Sequence, residues 1–169
     1  SHRAVDETAG EPPGTASNYF RSRDEMLDAV ARRIVDLHLA EMNASADSIQ
    51  EQDGAVDLSQ IAAMIGFSLY SAATSHRTRF IAIYELTLEQ TRRPALRESL
   101  SCIARTTLDA TVAHHRMLGL DSTPAQVKEL MTLFGGALFA LVTGPPEEVT
   151  PEATRILARA MVEGVLRGR

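Results

Sequence analysis

The stretch Ala4-Val5-Asp6-Glu7-Thr8-Ala9-Gly10-Glu11-Pro12-Pro13-Gly14-Thr15-Ala16-Ser17-Asn18-Tyr19-Phe20 runs straight on into Arg21-Ser22-Arg23-Asp24-Glu25-Met26-Leu27. Glycine just past a helix end supplies the left-handed residue that closes the turn, so Gly10 predicts the end of one helix. Pro12 and Pro13 predict the opening of a short second helix, because proline at a first helical position gives up no hydrogen bond. Ser22 with Glu25 three residues on makes a capping box, each side chain reaching the other's free backbone N–H, and starts a long third helix. Helix, turn, short helix and capped long helix form the layout of a helix-turn-helix. A middle helix this short has no stability of its own in water, so Val5, Ala9, Ala16, Phe20 and Leu27 are expected to supply a small shared core.

The pattern resembles the DNA-binding end of the TetR family of bacterial repressors. That family's motif runs Ala-Gly-Val, two variable residues, Gly-Thr-Leu-Tyr, one variable residue, His-Phe and Ser-Lys-Glu-Glu-Leu. Gly14-Thr15, the aromatic Tyr19, Phe20, Ser22 and Glu25 keep it. Glu11 stands for valine, Ala16 for leucine, Ser17 for tyrosine, Tyr19 for histidine, Arg23 for lysine and Met26 for leucine. The resemblance implies a second helix lying in the major groove of operator DNA with its first residues toward base edges. Thr15, Ser17 and Asn18 are short hydrogen-bonding side chains suited to that reach, and asparagine can pair bidentately with adenine. Tyr19, Arg21 and Arg23 stand where phosphate contacts fix register. The same polar residues also suit the solvated coat of an exposed helix.

Length and composition bound the rest. One hundred and sixty-nine residues, 44% hydrophobic, suffice for one domain or for a small module joined to a larger body. The single Cys102 excludes an intrachain disulfide and a zinc-finger framework, and fits a reducing compartment. No long uncharged apolar run and no signal-peptide pattern is evident, so a soluble, cytoplasmic protein without a membrane partner is expected. Net charge runs the other way from a DNA binder: 17 basic against 22 acidic residues give −5, where a basic footprint is usual. Residues 1–44 carry Arg3, Arg21, Arg23, Arg32 and Arg33 against Asp6, Glu7, Glu11, Asp24, Glu25, Asp28, Asp36 and Glu41. The chain opens inside a helix without an initiator methionine, and the resemblance implies a further helix and a basic arm ahead of it. Alternatively, a few well-placed cations on the phosphate-facing side suffice.

Beyond the cap, residues 24–42 carry Leu27, Val30, Ile34, Leu37 and Leu39 on an amphipathic stripe, a connecting helix. The polar residues 43–54 read as a loop. They divide the chain into a partial DNA-binding domain with its connecting helix, 1–42, and a helical effector-binding and dimerisation domain, 43–169. A helix over about 58–74 is apolar on every side and is predicted buried on every side. Further helices are expected over about 79–92 and 94–118, from Thr123-Pro124 to the break at Gly144-Pro145-Pro146, and over 151–166. No strand pattern occurs, so the fold class is all-α. The run from Phe80 to Arg97 also resembles a recurrent stretch of the ligand-binding half of TetR-type regulators.

Met64, Phe67, Tyr70, Phe80 and Tyr84 are large, and Ser68, Ser71, Thr87, Arg105 and Thr106 offer polar anchors, the mix found in small-molecule pockets. A packed core has the same stripe. The resemblance implies that Met64, Phe67, Tyr70, Phe80, Tyr84 and Arg105 lie where an effector of unidentified chemistry binds. Gly135-Gly136 permits close helix approach, and Leu130, Phe134, Leu138, Leu157, Met161 and Val165 suit either a two-fold copy or the packing of a terminal hairpin. The resemblance favours the homodimer, which sets two recognition helices about one DNA turn, ~34 Å, apart.

Catalysis finds little support. His114 and His115 are adjacent on a helix, point to different sides and cannot share a metal as an i, i+4 pair does. No Glu-x-x-His, Gly-x-Ser-x-Gly or glycine-rich phosphate loop occurs. Cys102 reads as a small buried apolar side chain rather than a nucleophile. No enzyme activity, cofactor or metal is expected. The leading reading is a DNA-binding repressor released by a small-molecule effector. The rivals are a helical small-molecule-binding dimer without sequence-specific DNA binding, suggested by the acidic balance with Glu11 and Ser17, and a helical enzyme using Arg105, His114 or Tyr84.

Overall fold

A computed structural model describes residues 1–49 and 56–166. In chain order they form α1 (His2–Ala9), α2 (Thr15–Tyr19), α3 (Arg23–Ile49), α4 (Leu58–Ala73), α5 (Arg77–Glu89), α6 (Pro94–Met117), α7 (Pro124–Thr143) and α8 (Pro151–Leu166), with one 3₁₀ turn at Pro146–Glu148. No strand occurs among the described residues, and the fold is all-α.

Local chemistry sets most of the boundaries. Gly10 ends α1 at φ 69°, the left-handed conformation that costs glycine nothing. Pro94 and Pro124 begin α6 and α7 where no intrahelical N–H is needed. Asp57 with Gln60 and Thr123 with Gln126 form full capping boxes at α4 and α7.

Two N-terminal expectations change. Pro12 and Pro13 lie in the turn, and α2 starts only at Thr15, after Gly14 at φ 97°. The Ser22 hydroxyl accepts from Glu25 N at 3.1 Å, but the Glu25 carboxylate returns to Arg21 N, at 2.8 Å, one residue ahead of the cap. Of the expected small core, Ala16 is buried and Phe20 and Leu27 are half-buried, whereas Val5 and Ala9 are exposed.

The stretch expected to be a loop from Asn43 is helical as far as Ile49, the last residue of α3. Neither glycine nor proline interrupts the sequence before Gly54, and polar side chains alone do not stop a helix that is already propagating. Residues 50–54 of that expected loop lie outside the described residues.

Among the described residues, three packing centres join the helices of the body. In one, Leu69, Ala72 and Ala73 of α4 meet Leu130, Leu138 and Val142 of α7 and Ala158, Met161 and Val165 of α8. In another, Ala31 of α3 meets Leu86 of α5 and Leu96 of α6, which seats the connecting helix on the body. The third sets Ile61 and Ala62 of α4 against Val162 of α8. The expectation that α4 is buried all round fails. Ile61, Ala62, Gly66, Leu69, Ala72 and Ala73 are buried, but Phe67 is 74% exposed and Ala63 and Ser68 are exposed too. A helix covered by α7 and α8 on one side presents its other face to solvent whatever that face is made of.

Candidate functional site

The N-terminal end is organised by a carboxylate. Asp6 is 3% exposed, and its two oxygens accept from Gly14 N at 2.8 Å and Ala16 N at 2.7 Å. Nothing in the local pattern separates it from the other acids of residues 1–44. The available signal is only that an acid stands four residues before Gly10, on the side of α1 that faces α2.

Around this anchor, the Thr15 hydroxyl donates to Pro12 O at 2.7 Å and the Ser17 hydroxyl to Gly14 O at 2.9 Å, so both brace the first turn of α2. Asn18 is exposed and Tyr19 is 75% exposed, and both sit on the free face of the helix. Arg21 is exposed in the segment leading into α3, and Arg23 is exposed at the first position of that helix. Arg23 also lies near enough to Glu89 of α5 for its charge to help lower that carboxyl's pKa. The six residues expected to face DNA therefore divide. Asn18, Tyr19 and Arg21 point outward, Thr15 and Ser17 commit their hydroxyl protons to the turn, and Arg23 is shared with the body.

Arg93, the residue before α6, joins that end to the body. Its Nε donates to Glu89 Oε1 at 2.6 Å and its Nη1 to Asp24 Oδ1 in the first turn of α3, also at 2.6 Å. The hydrogen bond from Arg93 is the main reason that the Glu89 carboxyl lies below its ordinary range, and the same bonds raise the Arg93 guanidinium. One cation thus bridges the start of α3 and the end of α5.

Inside the body, the Tyr84 hydroxyl donates to Gly135 O of α7 at 2.7 Å, and its ring meets Phe139 edge-on at 5.1 Å. Burial pushes the hydroxyl up to about 12. Tyr70 and Phe80 pack on the same cluster, and Met64 is half-buried. Phe67 and Arg105 are exposed on α4 and α6 and do not join them. The arginine that does reach inward is Arg77. Its Nη2 donates to Gly144 O at 3.4 Å while its Nη1 is buried without a partner.

His115 is buried with Nδ1 2.7 Å from Ser122 Oγ, and His114 is half-buried. Burial lowers both pKa values, and for His115 the neighbouring His114 lowers it further. Among the described residues no cluster of metal-ligating side chains is present. Cys102, expected to be buried, is exposed.

Of the residues expected at a two-fold interface, Leu130, Leu138, Met161 and Val165 are spent in this chain's own core and Phe134 packs against it. Leu157 is exposed, as are Ile156 on α8 and Leu133 and Phe139 on α7. A hollow of ≈ 280 Å³ opens on the outer face of α8, lined by Glu152, Arg155, Ile156, Arg159, Ala160 and Glu163.

The family described as tetracyclin repressor-like, C-terminal domain, matches residues 56–168. The chain belongs to the TetR family. No curated protein matches it. The matched span takes in α4 to α8, and hence the Tyr84–Gly135 contact and both terminal helices, while α1 to α3 lie ahead of it. TetR-family proteins are regulators and not, in general, enzymes. By length and composition α7 is long and apolar enough to cross a membrane, although Lys128 and Glu129 keep it from being a long uncharged run. In the TetR body, however, it packs against α4, α5, α6 and α8 and turns Val127, Leu130, Leu138 and Val142 into the interior.

Proposed function

We propose that this TetR-family chain is a cytoplasmic transcriptional repressor. It binds operator DNA as a homodimer through α2 and leaves it when a small-molecule effector occupies the helical body. The observation that carries this reading is the α1–turn–α2 unit, in which a buried carboxylate holds a short helix with Asn18 and Tyr19 facing outward. The DNA-binding part comprises residues 1–42 and the effector-binding and dimerisation part 43–169. Because the division falls within α3, that one helix belongs to both and can transmit motion between them.

The effector region is built from Met64, Tyr70, Phe80 and Tyr84. The exposure of Phe67 and Arg105 removes them from that set. The two-fold face is built from side chains that remain outside the core, Leu133 and Phe139 of α7 with Ile156 and Leu157 of α8. Effector binding favours a body shape that moves the two recognition helices out of register, so operator affinity falls by the ratio of effector affinities for the two states.

The second reading is a helical ligand-binding dimer without sequence-specific DNA binding, which the −5 net charge favours. Fluorescence anisotropy of the full-length protein separates the two. The probes are the intergenic DNA beside its own gene and a random duplex, at two salt concentrations. The repressor binds the first tightly and salt-sensitively, and Asn18→Ala costs about 1–3 kcal/mol there while leaving the random duplex unchanged. Equal, weak binding to every duplex leaves the second reading.

A further inference from the structure

We infer that Asp6 is the positioning residue of the candidate recognition helix: it sets where α2 starts and how it is aimed, and it withholds the helix's leading N–H groups from DNA phosphates. This rests on the DNA-binding reading above.

The geometry is specific. A helix leaves its first N–H groups without intrahelical partners, and a nearby anion ordinarily takes them. For α2 that anion comes from inside the chain. The Asp6 oxygens take the N–H groups of Gly14 and Ala16, while Thr15 N bonds back to Pro12 O at 3.1 Å. Three successive donors at the start of α2 are therefore committed. Gly14, the residue before the helix, has no side chain with which to cap it, so the N-cap position does not duplicate the carboxylate. Asp6 itself sits near the end of α1, whose carbonyls of Asp6 and Glu7 are closed by Gly10 N. One residue thus links the end of the first helix to the beginning of the second, across a turn that holds two prolines and two left-handed glycines, Gly10 and Gly14.

Two consequences follow for recognition. With the N–H groups of Gly14, Thr15 and Ala16 occupied, the start of α2 offers these donors to no phosphate, and discrimination falls mainly to exposed side chains such as Asn18 and Tyr19. Because the bonds are made by both oxygens of one planar group, α2 cannot pivot on a single contact. Asparagine at this position keeps the shape and one acceptor, but its NH₂ cannot accept the second N–H.

The test compares the full-length protein with Asp6→Asn. The probes are a duplex that the unsubstituted protein enriches from a randomised pool and a scrambled duplex at the same salt. Asp6→Asn is expected to lower affinity for the enriched duplex about tenfold to a hundredfold, the loss of a hydrogen bond to a charged group. Affinity for the scrambled duplex is expected to stay level or rise, because a negative charge has left the DNA-facing end. Opposite movement of the two affinities is the signature of positioning, since general unfolding lowers both and simple electrostatics raises both. Amide exchange supplies a readout that needs no DNA: the N–H groups of Gly14 and Ala16 exchange faster in Asp6→Asn, with those of α4 to α8 unchanged.

Parallel movement of the two affinities, or unchanged exchange at Gly14 and Ala16, overturns the role of Asp6 and leaves the repressor reading standing. Failure of the unsubstituted protein to enrich any duplex overturns the repressor reading and this inference with it. Faster exchange at the two amides in that case marks Asp6 as a purely structural cap.

Discussion

The hydroxyl of Tyr84 on α5 donates to the backbone carbonyl of Gly135 on α7 at 2.7 Å, tying two helices of the body through a group buried enough to resist ionisation. Replacing Tyr84 by Phe keeps the ring against Phe139 and removes only the hydroxyl. Gly135 sits inside α7, where its carbonyl keeps its helical position, so the cost is expected near the ordinary net value of about 0.5–1.5 kcal/mol. The pH dependence reports the burial of the hydroxyl itself. Folding raises the hydroxyl from 10.0 to about 12, so above pH 10 the unfolded chain gives up a proton that the folded chain keeps. The contribution is therefore complete below pH 10 and lost as pH rises from 10 toward 12. Urea unfolding along that alkaline range should show a decline in the native protein that is shallower in Tyr84→Phe. Equal slopes would remove the tyrosine from the account.

Gly66 of α4 lies directly against the backbone of α8. A methyl group there would stand 3.1 Å from Arg155 Cα and 3.4 Å from Thr154 O, and neither is the movable end of a side chain. Gly66→Ala is therefore expected to destabilise by about 1–3 kcal/mol, the cost of forcing packed backbones apart. Gly164 in α8 has open space where its methyl would go, so Gly164→Ala is expected to stabilise by roughly 0.5–1 kcal/mol through helix propensity. Thermal unfolding of the two variants should move in opposite directions.

What was legible in the sequence was what acts locally. Gly10, Pro94, Pro124 and Pro151 constrain their own backbone, and α1, α6, α7 and α8 end or begin beside them. The choice of face was not legible, because it depends on which distant helix arrives. Phe67 and Leu69 are both large and apolar and only two residues apart, yet Leu69 is covered by the core and Phe67 is not. Leu130 and Leu157 show the same in reverse: either suits a two-fold contact by composition, but Leu130 is used up inside the chain. Asp6 escaped because its partners are backbone N–H groups eight and ten residues away, and no residue type announces a backbone donor. The polar run from Asn43 misleads for a related reason: a polar composition does not by itself mark the end of a helix.

Arg93 is placed to couple the two ends. It holds Asp24 of α3 and Glu89 of α5 at once, over the apolar contact of Ala31, Leu86 and Leu96. As a partly exposed ion pair it adds little stability, and less at high salt. Its effect is expected in communication. Arg93→Ala should leave effector affinity in the absence of DNA nearly unchanged, while lowering the fold-change in operator affinity that a saturating effector produces. Titrating effector with and without operator measures both numbers, and by linkage the two routes must give the same coupling. A variant with full coupling would show that the apolar contact alone carries the motion.

The two-fold face is best tested by residues of like chemistry and opposite location. Ile156 is 60% exposed and Met161 is buried, five residues apart on the same helix. A glutamate at Ile156 touches little of the chain's own core, so, on the proposed homodimer, Ile156→Glu should remain folded by circular dichroism while sedimenting as a monomer at concentrations where the unsubstituted protein is expected to be a dimer. Met161→Glu places an unpaired carboxylate in the core and should lower stability by several kcal/mol, so its oligomeric state cannot be read apart from its folding. The informative result is the first: a folded, dimeric Ile156→Glu would move the interface off the outer face of α8, because a buried charge facing its own symmetry mate is among the most costly contacts a two-fold axis can hold.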